Sequence, residues 1–192
     1  MRKQRIMTIE PPYPQSVQAS FDTVMPQGIP PLNIFKTVAN NKRVLSRMVN
    51  GGLLDKGSIS IRQRELVILR ACANCKAEYE WGVHVAVFSA KAGFTQEQIA
   101  DTCNSPIDTG HWSSEERVLI RLVDELHHSA QLSDQAWMDL CEYFTHEQIV
   151  ELVMLAGLYH AVSFVVNALK VEHEEFAPRF HKPKNGENLP IT

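Results

Sequence analysis

The sequence predicts an all-α protein, and three observations carry that reading. Apolar residues recur at helical spacing in every long segment. Four segments open on a Ser or Thr with Gln or Glu three residues later, the capping-box pattern: Ser60/Gln63, Thr95/Gln98, Ser113/Glu116 and Thr145/Gln148. No alternating apolar–polar run bounded by turn residues points to a strand.

The elements follow in chain order. Residues 1–31 form a proline-rich arm (Pro11, Pro12, Pro14, Pro26, Pro30, Pro31) and are expected to be extended, packing over their own domain or a neighbouring subunit. A helical domain is expected over 32–172. It begins with a region from Leu32 to Val49 that breaks near Asn40-Asn41 and ends at Asn50-Gly51-Gly52. Ser60 opens a helix with Leu66, Ile68, Leu69 and Cys72 on its apolar stripe. Asn74-Cys75-Lys76 is a polar break, and the next helix runs from Glu78 to Ala92 with Gly93 ending it. A short helix from Gln96 to Cys103 precedes a loop with Pro106 and Gly110. Ser113 starts a strong amphipathic helix, Ser133 or Asp134 caps another, and Thr145 caps a long apolar one reaching about Val171. Residues 173–192 form a charged tail expected to fray. A faint echo between Arg62–Phe88 and Glu147–Leu169 suggests two related helical halves.

Composition narrows the functional classes. The chain has 192 residues, 21% of them charged, with a formal net charge of −3, so no basic field draws it to nucleic acid. The opening MRKQRIMTIEPPYP has no apolar run of the secretory kind, and a cytoplasmic location is expected. Ile149 to Val171 is long enough to span a membrane but contains Glu151, His160, Asn167 and Lys170; it reads as a buried or interface helix instead.

Chemistry concentrates between Ser58 and Thr95, where Cys72, Cys75, Glu65, Glu78, Glu80 and His84 lie together. Thiol, carboxylate and imidazole are the groups needed to move protons to and from a nucleophilic sulfur. The Cys72–Cys75 pair is redox-active, metal-binding or incidental. Zinc would want two more ligands, and no second Cys-x-x-Cys or His-x3-His supplies them, so no metal and no cofactor is expected. Cys75, in the break before a helix and next to Lys76, is the expected nucleophile with a lowered pKa, and Cys72 the resolving thiol. Glu65 sits among apolar neighbours, as a proton carrier or as an ion pair with Arg62, Arg64 or Arg70. His84 is the best general base; it shares a helix face with Glu80, four residues away, but not with Glu78. Tyr79 and Trp81 read as packing residues, His127, His128 and His173 as surface ones, and Tyr159-His160 as lining a pocket or an interface.

With RELVILR at 64–70, EYEWGVH at 78–84 and AGFTQEQI at 92–99, the chain resembles the carboxymuconolactone decarboxylase family in its alkylhydroperoxidase AhpD-like branch; SSEERVLIRLVDELH and GLYHAVSFVVNAL extend the likeness. The resemblance implies an all-helical fold assembled as a trimer or hexamer. It also implies a Cys-x-x-Cys with a Glu/His relay, in which a thiolate attacks a hydroperoxide and a thiol reductant protein restores the pair. Two registers are possible, and the one that aligns Ala92-Gly93 is preferred because it needs only one extra residue in the break. With Cys72 and Cys75 on the redox pair, the relay histidine falls on Tyr79. With Ala92-Gly93 aligned, the redox positions fall on Glu78 and Trp81, and the relay positions fall one residue from His84 and from Glu65. The leading expectation is a thiol peroxidase or disulfide-exchange enzyme using Cys75, Cys72, Glu65, His84 and Glu78. The rivals are a non-redox enzyme acting on a small carboxylate or lactone, and a non-catalytic oligomer that binds a small ligand.

Overall fold

The computed structural model describes residues 4–180, and among these residues every regular element is helical. The helices are α1 (Gln15–Val24), α2 (Asn33–Val38), α3 (Lys42–Asn50), α4 (Ile61–Asn74), α5 (Glu78–Ala92), α6 (Gln96–Asp101), α7 (Ser114–Ser129), α8 (Asp134–Tyr143) and α9 (His146–Leu169), with a single 3-10 turn at Thr109–His111. All four capping boxes form as the sequence predicts, at Ser60, Thr95, Ser113 and Thr145. Gly93 ends α5 at φ 72°, a left-handed conformation that costs glycine least.

The fold is built around α4. It packs against α5, α7 and α9, and Leu66, Val67, Ile68, Leu69, Ala71 and Cys72 are all sealed from solvent. A helix enclosed on most sides must also bury polar groups, and each is paired. Arg70 holds Asp124 of α7 through two bonds of 2.6 and 2.8 Å and donates to the carbonyls of Thr102 and Asn104. Arg62 pairs with Glu116 at 2.6 Å, donates to the last carbonyls of α5 at Ala92 and Gly93, and lies over Phe94. The first turn of α4 is thus tied to both neighbours.

Two sequence expectations are corrected here. The arm is not wholly extended: its prolines bracket a proline-free stretch that forms α1, which buries Val17 and Phe21 and packs on α3. The tail does not fray at once. Residues 171–180 lie across α5, where Glu78 accepts a bond from the Phe180 N–H at 2.9 Å and pairs with Arg179 at 2.9 Å. Gly82 makes this possible, because a Cβ there would strike the Pro178 carbonyl. The expectation for residues 181–192 lies outside the described residues.

Helix α9 is long and apolar enough to cross a membrane by length and composition alone. It instead buries Ile149, Leu152, Leu155, Ala156, Tyr159, Val162, Ser163 and Val166 against the bundle. Its Glu151 accepts bonds from Ser58 at the entrance to α4.

Candidate functional site

Glu65 lies on the second turn of α4 and His84 on the second turn of α5, and the packing of these helices sets them face to face. Nδ1 of His84 is 2.7 Å from Oε2 of Glu65, both side chains being almost wholly buried. The other carboxylate oxygen of Glu65 accepts from Arg64 Nε at 2.9 Å, and Arg64 in turn donates to the Leu54 carbonyl. On the far side of the ring, Nε2 of His84 is 3.1 Å from the Tyr159 hydroxyl and 3.4 Å from Oε1 of Glu80. Arg64, Glu65, His84, Glu80 and Tyr159 thus form one continuous line of polar groups.

Electrostatics favours a charged His84. Burial pushes its pKa down, but the bonds to Glu65 and Glu80 outweigh this and raise it to about 9. As an imidazolium it donates from both nitrogens, so the Tyr159 oxygen acts as an acceptor and the tyrosine keeps its own hydrogen for another partner. Burial, with Glu80 and Glu65 nearby, drives the Tyr159 pKa well up and keeps the hydroxyl protonated.

One atom in this line has no partner. Oε2 of Glu80 is buried and accepts no hydrogen bond among the described residues. Glu80 and Tyr159 border a cavity of about 510 Å³, whose walls are otherwise mostly apolar: Phe35, Met48, Leu54, Phe88, Leu158 and Val162 are among them. A buried carboxylate oxygen left unpaired beside an apolar cavity is costly unless a ligand or water completes it. The cavity wall therefore offers an acceptor at Glu80 and a donor at Tyr159.

The other residues singled out from sequence lie elsewhere. Glu78 anchors the C-terminal segment through Phe180, Arg179 and His173 and takes no part in the His84 line. Cys72 is fully enclosed on the inner face of α4; burial first, then the charge of Glu80, raises its thiol pKa well above normal. Cys75 does not head a helix: it caps the carbonyl end of α4, its N–H bonded to the Ala71 carbonyl. Burial raises its pKa, with a smaller opposing effect from Ser163, where the sequence predicts a lowered value. Neither sulfur lines the Glu80 cavity.

Cys75 instead faces two histidines. His127, near the end of α7, has Nδ1 3.8 Å from the Cys75 sulfur and 3.0 Å from Nε2 of His160 on α9. The surface position expected of His127 is thus corrected to a half-buried one. Burial and the neighbouring histidines lower its pKa. Tyr79 and Trp81 are packing residues as expected: the Tyr79 hydroxyl joins Ile34 to Glu174, and the Trp81 indole donates to Thr102. Tyr159 was legible only as a pocket or interface residue, and nothing in its local sequence links it to His84.

Solved structures share this fold. One, the alkylhydroperoxidase AhpD core of an uncharacterized peroxidase-related protein from Ralstonia eutropha JMP134, superposes with a TM-score of 0.77 at 14% identity, covering 90% of this chain and 93% of that chain. An uncharacterized peroxidase-related protein from Silicibacter sp. TM1040 gives 0.76 at 18% identity, covering 94% and 97%. The debrominase Bmp8, solved as a variant in complex with 2,3,4-tribromopyrrole, gives 0.71 at 11% identity, covering 91% and 94%. At these identities the likeness is one of fold. No curated protein matches the sequence significantly. Residues 42–124 match the carboxymuconolactone decarboxylase family, and with the shared AhpD-core fold this bears out the resemblance carried by RELVILR, EYEWGVH and AGFTQEQI.

Proposed function

We propose that the protein is a proton-transfer enzyme acting on a small, neutral, largely apolar oxygen compound such as a lactone or an oxo compound. The observation that carries this reading is the unpartnered buried Oε2 of Glu80 at an apolar cavity. Glu80 is the base: it takes a proton from a C–H or O–H of the bound molecule. Tyr159 donates to the substrate oxygen on which charge develops, and His84 polarises the tyrosine from behind. Glu65 and Arg64 are positioning residues that fix the ring and its charge. Among the described residues the cavity lining holds Glu80 and Asp55 but no Lys, Arg or His. A carboxylate substrate would meet repulsion there, which favours the lactone half of the sequence expectation over the small-carboxylate half.

Thiol peroxidase chemistry is the second reading, supported by the Cys72–Cys75 pair and by relatives in fold described as peroxidase-related. It ranks lower because burial raises both thiols, and the attacking species is the thiolate.

One experiment separates the two. Hydrogen–deuterium exchange at the acidic C–H of a panel of lactones and oxo compounds is followed by NMR, alongside hydroperoxide loss with a dithiol reductant. Exchange lost in Glu80→Gln and kept in Cys75→Ser supports the acid–base reading. Hydroperoxide loss that vanishes in Cys75→Ser, with no exchange activity, replaces it with the thiol one.

We also propose self-association, in line with the expected trimer or hexamer. Val150, Met154, Gly157, Ala161, Phe164 and Ala168 lie exposed along α9 at alternating spacings of four and three, a seam suited to a second copy of the same helix.

A further inference from the structure

Cys75, His127 and His160 come from three different helices or helix ends, yet their sulfur and ring nitrogens all lie within 4.8 Å of one another. We propose that these three side chains bind one divalent transition-metal ion, zinc by the chemistry of the donors, with a fourth position open. The proposal is independent of the Glu80 cavity, which none of the three lines.

The distances suit the ion. Tetrahedral zinc, with Zn–S near ~2.3 Å and Zn–N near ~2.0 Å, separates sulfur from nitrogen by roughly 3.5 Å and nitrogen from nitrogen by roughly 3.3 Å. The observed separations are 3.8 Å for Cys75 Sγ to His127 Nδ1 and 3.0 Å for His127 Nδ1 to His160 Nε2. The third separation, from the Cys75 sulfur to the His160 nitrogen, is within 4.8 Å, so shifts between a few tenths of an ångström and about one ångström bring all three to one centre.

The surroundings prepare the ligands. His160 Nδ1 lies 2.9 Å from the Ala156 carbonyl, which can only accept. Nδ1 therefore carries the hydrogen, and Nε2 presents a bare lone pair to the cluster. A backbone carbonyl orienting a histidine in this way is a usual support for a metal ligand. The turn carrying Cys75 is fixed as well, since Asn167 of α9 donates to its carbonyl at 2.8 Å. A metal-free account needs only a hydrogen bond from His127 to His160. That account leaves the Cys75 sulfur with only a long 3.8 Å contact to the same ring nitrogen, whereas one metal ion would use all three donors at once.

All three residues are half-buried. Three protein ligands with an open position is the make-up of reactive zinc sites, whereas structural zinc sites are closed by four. Sequence spacing hides the cluster, because Cys75 and His127 are 52 positions apart and His127 and His160 are 33 apart. A metal held by Cys75 would also occupy the thiolate that peroxide chemistry needs.

The test uses the full chain, reduced and stripped with a chelator. Zinc binding is measured by calorimetry and by competition with a chromophoric chelator, and cobalt(II) is added in parallel for its spectrum. The expected result is one equivalent per chain at micromolar affinity or tighter, with a thiolate-to-cobalt charge-transfer band. Cys75→Ser should abolish that band, and it and His127→Gln should each weaken zinc by more than about 100-fold, beyond the usual loss from a merely supporting group. Cys141→Ser, at an exposed thiol, should change nothing. Circular dichroism checks that each variant folds. Absence of stoichiometric binding, or binding that Cys75→Ser leaves unchanged, overturns the proposal. Glu80→Gln should leave zinc affinity intact, so this site and the proton-transfer reading fail or stand separately.

Discussion

Glu65 and His84 sit on adjacent helices with Oε2 and Nδ1 2.7 Å apart, and Glu65 has Arg64 on its other side. One buried carboxylate therefore balances two cationic partners. Replacing it with a neutral group strips Arg64 of its carboxylate and leaves His84 only the longer contact to Glu80 in a dry interior. Glu65→Gln should destabilise the protein by about 3–5 kcal/mol, the usual cost of breaking a buried pair by removing one member. Urea unfolding at pH 7 measures this, and a loss below about 1 kcal/mol would show that the pair is not held as described.

The same pair sets a pH dependence. The His84 pKa is raised from 6.5 to about 9 in the folded protein. The folded state therefore holds a proton that the unfolded chain releases above about pH 6.5, and stability rises wherever the unfolded state binds more protons. Here it binds fewer. The contribution of His84 should be fully present below about pH 6.5 and decline as pH rises to about 9. Unfolding free energies at intervals across that range should fall in wild type. A flatter profile is expected in His84→Gln, and equal slopes in the two would refute the assignment.

Much of this was legible in the sequence, and what was not has a physical reason. The capping boxes at Ser60, Thr95, Ser113 and Thr145 are local signals, complete within four residues, and each opens the helix it predicts. Glu65 and His84 stood out as polar groups in an apolar stretch, but their contact depends on how α4 packs on α5. Glu80 was seen to share a face with His84, while Glu78, two positions away, points to the C-terminal segment because 3.6 residues per turn separates them in phase. Tyr159 reaches His84 from 75 positions away, and no periodicity encodes that meeting. Cys75 misled for a related reason. Its place before α5 is real, but its backbone closes α4, so burial rather than a helix start decides its acidity.

Stability and chemistry should separate at Glu80. Among the described residues Oε2 of Glu80 has no hydrogen-bond partner while Oε1 faces the His84 imidazolium, so Glu80→Gln relieves an unpaired buried oxygen, removes one of the two anions around His84 and keeps an acceptor toward the ring. Stability should change by less than about 1 kcal/mol or rise. Proton transfer should fall by roughly 10²–10⁴, the usual contribution of a positioned base. A variant that loses stability but keeps its rate would assign Glu80 a structural role.

The last prediction concerns the exposed seam of α9. Val150, Met154 and Phe164 are 65%, 62% and 65% exposed, which is unusual for three large apolar side chains on one helix face. Gly157 lies between them on the same face, and a Cβ added there meets nothing within 4 Å. Glycine within a helix costs about 1 kcal/mol relative to alanine. A larger residue at 157 should therefore be harmless or mildly stabilising in an isolated protomer. In an assembly where a second α9 packs closely along the seam, the same residue would occupy the space of the partner. Gly157→Leu should lower the mass seen by light scattering while leaving helicity unchanged, and Met154→Glu should do so by charge rather than bulk. If wild type is monomeric at micromolar concentration, or if both variants keep the wild-type mass, the seam is not the contact between copies.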